Sequence, residues 1–330
     1  LINCSCKYSQ NPYRKRLAVS EGKMEYITSS DFHFKNTAVA LGKFEGIHRG
    51  HQLLMDEVKK QELHGLQSVV FTFDRPTRLT LTGDTKYKQI YTKEERKTIL
   101  EKRGINILIE HPFTKEFAAL TPERFIREVL VEKVGAKVIV VGTDFHFGKN
   151  RSGSILDLEN LEEECGYHLI VVEKLQLDGK DISSTRIRAS LEKGDMEEAS
   201  ALLGRNYSVS GEIIHGNALG RTIQVPTINQ KVPSFKLLPP NGVYVSKIHW
   251  NDEVYYGITN IGTKPTVNDT SEKTVETNIF DFDKDVYGEK MVVELLHYHR
   301  KESRFSSVEA LQTQLFKDIE FGKQFVAKIR

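Results

Sequence analysis

From Asn36 to about Leu203 the chain alternates short β-branched runs with helical patterns, and after Gly204 that alternation stops. Alternation of this kind is how repeated βα units on a parallel sheet are written in sequence. The expected strands are Ala38–Leu41, Ser68–Phe73, Ile105–Ile109, Lys137–Val141 and Leu169–Val172. Thr92 with Glu95 forms a capping box for a helix ending at Gly104, and Thr121 followed by Pro122 starts another. The fold expected for residues 24–203 is therefore an α/β, doubly wound, Rossmann-like sheet. Residues 204–330 instead carry short Val-, Ile- and Tyr-rich runs between glycine and proline turns, as in Gly211–Gly216 and Gly242–Val245. A small β-barrel is expected there, followed by a C-terminal helix capped by Ser306 and Glu309. Leu311, Leu315 and Ile319 give that helix an apolar side to pack on the barrel.

A chain of 330 residues with 39% hydrophobic content is long enough for two ordinary cores. Its longest apolar runs are too short to cross a bilayer, so no membrane partner is expected. A net charge of +2 gives no overall attraction for nucleic acid, so local basic groups must do any anion binding. Cys4, Cys6 and Cys165 form neither a disulfide framework nor a zinc pattern, which suits a reducing cytoplasm. The sequons at Asn206 and Asn268 are then chance matches. Residues 1–23 are basic and lack periodicity, so they are expected to be a disordered leader before Met24.

The segment Leu41-Gly42-Lys43-Phe44-Glu45-Gly46-Ile47-His48-Arg49-Gly50-His51 leaves the first strand of this series and enters a helix running to about Lys60. In open α/β sheets the ligand crevice lies at the carboxyl ends of the strands, where helix N-termini favour phosphate. Glycines at 42, 46 and 50 are expected to let backbone approach an anion, with His48 and His51 aimed at the same oxygens. Two histidines alone do not make a zinc centre, and there is no P-loop or dinucleotide fingerprint.

This segment resembles the Gly-x-Phe-Asp-Gly-x-His-x-Gly-His box of the bacterial bifunctional riboflavin kinase/FAD synthetase family. Phe71–Pro76, Val141–Gly148 and Ile182–Arg188 match further boxes of that family in order. The resemblance implies adenylyl transfer from ATP to FMN, giving FAD and pyrophosphate. His48 and His51 would hold the ATP phosphates, with Ser184, Thr185 and Arg188 binding them from the opposite side. Gly42, Phe44, Gly46, Gly50, Gly142 and Asp144 would complete the nucleotide site, and Phe73 and Phe147 would face the flavin. Glu45 stands where the family has aspartate, and Arg75 and Thr77 replace its Pro-His-Pro surroundings.

Gly211–Asn229 is similar to the riboflavin kinase loop that ends in Gly-Phe-Pro-Thr-Ala-Asn, and the segments from Asn260, Val275 and Asp285 continue that order. The resemblance implies phosphorylation of riboflavin by ATP, with Glu276 as general base. Gly216, Gly220 and Arg221 would bind nucleotide, and Arg300 and Phe305 would bind flavin. Thr227 and Asn229 are hard oxygen donors suited to Mg²⁺, which would neutralise phosphate in both sites. Gln224 and Val225 replace Gly-Phe, and Asn278 replaces a histidine. A glutamine Cβ obstructs the loop if a positive φ is needed there. These departures keep a rival reading open: a monofunctional FAD synthetase, or a flavin-binding regulatory paralogue with an inactive kinase domain. No oligomeric state follows from the sequence.

Overall fold

The computed structural model describes residues 23–74, 87–216, 224–265 and 271–329. The leader expected over residues 1–23 lies outside them except for Lys23, as do Arg75, Thr77, Gly220 and Arg221.

Six parallel strands form one sheet in the order β1-β4-β3-β2-β5-β6. They are β1 Glu25–Ile27, β2 Thr37–Leu41, β3 Gln67–Phe73, β4 Ile107–His111, β5 Ala136–Gly142 and β6 His168–Val172. All five expected strands are present, each within two residues of its expected ends. The strand not expected is β1, three residues that extend the sheet by pairing Tyr26 with Leu108. So short a run carries no legible period. Helices lie on both faces of the sheet, and β2 is buried along its whole length.

Strand order reverses beside β2, since the chain goes to β3 on one side and returns to β5 on the other. The carboxyl ends of β2 and β5 therefore flank the switch point, where open α/β sheets hold ligands. The histidine segment leaves β2 there, and Gly142–Gly148 leaves β5. The Thr92–Glu95 capping box forms as expected at the start of helix Lys93–Lys102. Thr121 caps a helical turn with Pro122 in its first turn.

A two-strand hairpin, β7 Gln176–Leu177 and β8 Lys180–Asp181, leads to the helices Ser184–Lys193 and Met196–Leu203. The rest of the chain forms a closed antiparallel barrel in the order β10-β13-β12-β11-β14-β9. Its strands are β9 Tyr207–Ile214, β10 Ile228–Lys231, β11 Gly242–Trp250, β12 Glu253–Pro265, β13 Ser271–Ile279 and β14 Lys290–Lys301. Inside it, the hydroxyls of Ser246, Thr259 and Thr277 join at 2.7 and 2.9 Å, so three buried polar groups satisfy one another.

The helix Val308–Ile329 packs on the barrel as expected, but on a different stripe. Its buried positions are Asp318, Gly322 and Val326, whereas Leu311, Leu315 and Ile319 are only half-buried. The reason is ionic: Arg300 on β14 grips the Asp318 carboxylate at 2.8 and 2.5 Å and turns that face inward. Gly322 permits the close approach, because a Cβ there would lie 2.7 Å from Ile258 and Phe280. The Ala310 N–H donates to the Ser307 hydroxyl at 3.2 Å, so the hydroxyl that caps this helix is Ser307 and not Ser306.

Sheet and barrel share a continuous core running from Ile90, Ile187 and Leu203 to Tyr207, Val209 and Leu295. At its centre Lys236 Nζ donates to Glu95 Oε2 at 2.6 Å, with both side chains almost fully buried. Lys236 also donates to the carbonyls of Ile90 and Ser208 at 2.9 Å and lies 4.6 Å from the ring centroids of Tyr91 and Tyr207. Glu95 thus closes a capping box and anchors the barrel, accepting also from the Ser210 N–H. Removing one partner of such a pair strands a charge away from water. The Lys236→Ala variant is expected to lose about 3 kcal/mol of unfolding free energy, read from urea denaturation, with the Glu95→Gln/Lys236→Met double variant losing less. Equal losses in the two would mean that the lysine's packing, not its charge, is what matters.

Candidate functional sites

The turn after β2 is set by side chains as much as by glycine. Phe44 and Ile47 adopt φ of 43° and 42°, whereas Gly42, Gly46 and Gly50 keep negative φ. A positive φ is therefore not what calls for glycine at these three positions. A Cβ on Gly42 would lie 2.9 Å from the Phe44 ring, and one on Gly50 would lie 3.3 Å from His48 Nδ1. Both glycines make room for rings. A left-handed conformation costs a non-glycine residue roughly 1–2 kcal/mol. Burial of Phe44 and Ile47, which are 1% and 0% exposed, offsets it.

His48 caps the helix Arg49–Lys60, its Nδ1 accepting the His51 N–H at 3.3 Å. That acceptor role leaves the proton of the neutral ring on Nε2, a donor available to an anion. The two imidazoles stack at 3.6 Å between centroids, and Phe44 meets His51 edge-on at 5.1 Å. Burial, then the charge of Arg205, pushes His48 down to about 4, with Asp144 opposing. His51 is held well below its usual range by burial, by His48 and by Arg205. Both rings are neutral at pH 7.

The helix Ser184–Lys193 meets this turn through an ion pair: Arg188 Nη2 donates to Glu45 Oε1. Glu45 also accepts from the Tyr87 hydroxyl at 2.7 Å and from the Ile90 N–H at 3.3 Å. The Arg188 guanidinium lies 4.3 Å from the centre of the Tyr87 ring. Ser184 and Thr185 occupy the first turn of that helix, half-buried and exposed, while Ser183 is its cap. Gly142 and Asp144 lie across the switch point, with Asp144 3.2 Å from Lys174 Nζ.

Phe73 and Phe147 belong to one aromatic cluster beyond the ends of β3 and β5. Phe73 packs on Phe113 at 4.8 Å, and Phe147 packs on Phe125 and Phe145 at 5.4 Å. Phe147 is only 7% exposed, so it backs the wall more than it faces the cleft. Phe113, Phe117 and His111 complete the cluster; no sequence signal marked them, because they come from a different strand end.

On the barrel, Glu276 lies on the outer face of β13, directly opposite Asn229 on β10 and Asn260 on β12. Opposed residues in antiparallel strands share a face, which puts the carboxylate between two carboxamides. Gly216 lies against the Asn229 carboxamide, where a Cβ would come within 2.3 Å of Nδ2. Thr227, half-buried, immediately precedes β10. Gln224 does adopt a positive φ, 60°, and its side chain is exposed. Asn278 donates to the Pro226 carbonyl at 2.8 Å and so ties the Pro-Thr element to β13. Arg300 is held by Asp318 with its guanidinium carbon 6.0 Å from the Phe305 ring, which makes it a tether of the C-terminal helix. Among the described residues no three His, Cys, Asp or Glu side chains are grouped as metal ligands.

Comparison with known proteins assigns a family to each half of the chain. Residues 31–186 match the FAD synthetase family, and residues 203–326 match the riboflavin kinase family. A bifunctional riboflavin kinase/FMN adenylyltransferase of Listeria monocytogenes is 34% identical over 92% of this chain and 96% of its own. The Bacillus subtilis enzyme of the same name is 35% identical, with 89% and 94% covered. The chain belongs to the bifunctional riboflavin kinase/FMN adenylyltransferase family. Its activities are adenylyl transfer to FMN and phosphorylation of riboflavin, and nothing favours the monofunctional or regulatory alternative. A crystal structure from Streptococcus pneumoniae superposes with a TM-score of 0.81 at 32% identity, covering 90% of this chain and 97% of that one. It bears the name macrolide-efflux protein, but its likeness spans sheet and barrel alike. No helix among the described residues is long and apolar enough to cross a membrane.

Two outcomes follow from the turn geometries. A histidine held at about 4 when folded and near 6.5 when unfolded takes up its proton more readily in the unfolded chain. His48 stability is therefore complete above pH 6.5 and is lost as pH falls toward 4, by about 3 kcal/mol in all. Melting temperature against pH should fall over that window, and the His48→Asn variant should flatten the fall. Gln224→Gly should raise unfolding free energy by roughly 0.5–1 kcal/mol, the relief of left-handed strain less the added freedom of the unfolded chain. An unchanged or lower denaturation midpoint would show that the glutamine side chain itself holds the loop.

Proposed function

We propose that the sheet holds ATP with its phosphates between the His48–His51 pair and the Ser184 helix, and that Glu276 is the base of the barrel's kinase reaction. What carries the first part is the Arg188–Glu45 contact, which joins two segments more than a hundred residues apart at the switch point. In this reading Arg188 spends one donor on Glu45 and turns others of its five N–H groups to phosphate. The Nε2–H of His48 donates to the same anion, and Ser184 and Thr185 offer hydroxyls from the first turn of their helix. A phosphate oxygen of FMN attacks the α-phosphorus of ATP, the bond to the β-phosphate breaks, and pyrophosphate leaves. These residues orient the groups and stabilise negative charge; none is a nucleophile. The aromatic cluster with Phe73 gives the isoalloxazine a flat apolar wall.

On the barrel, Glu276 takes the proton of the riboflavin 5′-hydroxyl as that oxygen attacks the γ-phosphorus and ADP leaves. Thr227 and Asn229 would hold Mg²⁺ together with nucleotide phosphates, and the donor set fits a hard cation. The ion supplies neutralisation of phosphate charge. In the sheet site any divalent ion would be held mainly by the nucleotide. The division between the two catalytic units falls at Gly204, where the Met196–Leu203 helix ends.

Purified protein with riboflavin, ATP and Mg²⁺, and separately with FMN, ATP and Mg²⁺, tests the assignment by chromatography of the flavins. Glu276→Gln is expected to cut FMN formation by about a hundredfold or more and to spare FAD formation from FMN. His51→Ala is expected to do the reverse. Parallel loss of both products in either variant would contradict two separate sites.

A further inference from the structure

One charged side chain meets the histidine turn from the barrel side and has no part in the chemistry above. Arg205, one residue after the glycine that ends the Met196–Leu203 helix and inside the riboflavin kinase match, reaches back across the junction. Its Nη2 donates to the Gly46 carbonyl at 2.8 Å, and its Nη1 donates to the Ile47 carbonyl at 2.8 Å and to that of Leu203 at 3.2 Å. Gln52 Nε2 takes the same Ile47 and Leu203 carbonyls at 2.9 and 2.7 Å. The Gly46 and Ile47 carbonyls belong to the turn, at and just before its left-handed Ile47, whose next residue is His48. The Arg205 guanidinium carbon lies 5.0 Å from the Tyr91 ring centre, and Tyr91 also lies beside Lys236. The fork is thus held by the junction on one side and grips the turn with the other.

We infer that Arg205 is a positioning residue for adenylyl transfer, supplied by the kinase-like half of the chain, which fixes the strained turn and hence the placement of the His48–His51 pair. This role rests on the site assigned above. It has two physical parts. The planar fork satisfies two adjacent carbonyls that a left-handed turn points the same way, a task a single-point donor cannot complete. Its charge also disfavours protonation of both imidazoles; the charged groups facing His48 are Arg205 and, in opposition, Asp144, and His51 faces the charge of Arg205 and the titratable ring of His48.

The test uses the full chain with Arg205→Met and Arg205→Lys, assayed for FAD from FMN and for FMN from riboflavin, with melting temperatures alongside. Arg205→Met should lower kcat for adenylyl transfer about tenfold or more, with KM for ATP changed by less than about threefold. Riboflavin phosphorylation should stay within about twofold. The acid limb of its adenylyl pH profile should also lie at higher pH than in the wild type, while Arg205→Lys keeps the wild-type limb. Arg205→Lys should recover part of kcat, because it keeps the charge but grips one carbonyl at a time. An adenylyl kcat within twofold of wild type in Arg205→Met overturns the role. So does a parallel fall of both activities with melting temperature, which would make Arg205 a packing residue of the junction. A wild-type protein that makes FMN but no FAD overturns instead the assignment of the sheet site, and this role with it.

Discussion

The turn from Gly42 to His48 is where backbone strain fixes the geometry of a histidine pair. Phe44 and Ile47 stand in left-handed backbone, which L-residues avoid unless their surroundings leave no alternative. Here the surroundings are two fully buried side chains, Arg205 and Gln52 on the carbonyls, and Glu45 drawn to Arg188 and Tyr87. If the turn relaxed, His48 would no longer cap its helix and the two imidazoles would lose their common orientation. Neutral, stacked and partly shielded from water, they would serve the proposed phosphate site as donors whose strength comes from low surrounding polarity and not from charge.

The same turn is tied to the barrel. Glu45 accepts from the Ile90 N–H, and the Ile90 carbonyl accepts from Lys236 and from Tyr207 across the junction. Lys236 in turn pairs with Glu95, the capping residue of a sheet-side helix. A buried ion pair of this kind adds little net stability over apolar packing, yet it admits one arrangement of its partners and penalises others. It therefore sets how the barrel sits against the sheet, and a shift of the barrel would be felt at Ile90 and Glu45.

The residues that depart from the family pattern are accommodated by contacts of their own. Glu45, longer by a methylene than aspartate, uses that reach to meet both Arg188 and the Tyr87 hydroxyl. Asn278, in place of histidine, anchors the Pro226 carbonyl and keeps the Pro-Thr element close to Glu276. Gln224 takes up the positive φ that glycine would adopt freely, at a cost in strain and with its side chain exposed. Arg300 has its guanidinium committed to Asp318, which fixes the C-terminal helix beside the outer face of the barrel.

The sequence by itself determined whatever depends on local periodicity and local caps: the five main sheet strands, the Thr92–Glu95 box, the change of pattern after Gly204, and the four ordered motifs. These are legible because neighbours three or four residues apart in a helix, or two apart in a strand, must meet whatever the rest of the chain does. Tertiary structure alone decided which distant residues share a site. The Glu45–Arg188 pair, the reach of Arg205 to Gly46 and Ile47, the Lys236–Glu95 anchor and the buried stripe around Asp318 each join segments far apart in the chain. No spacing rule encodes such contacts, since a lone arginine or glutamate reads as a solvated surface charge until folding removes the water around it.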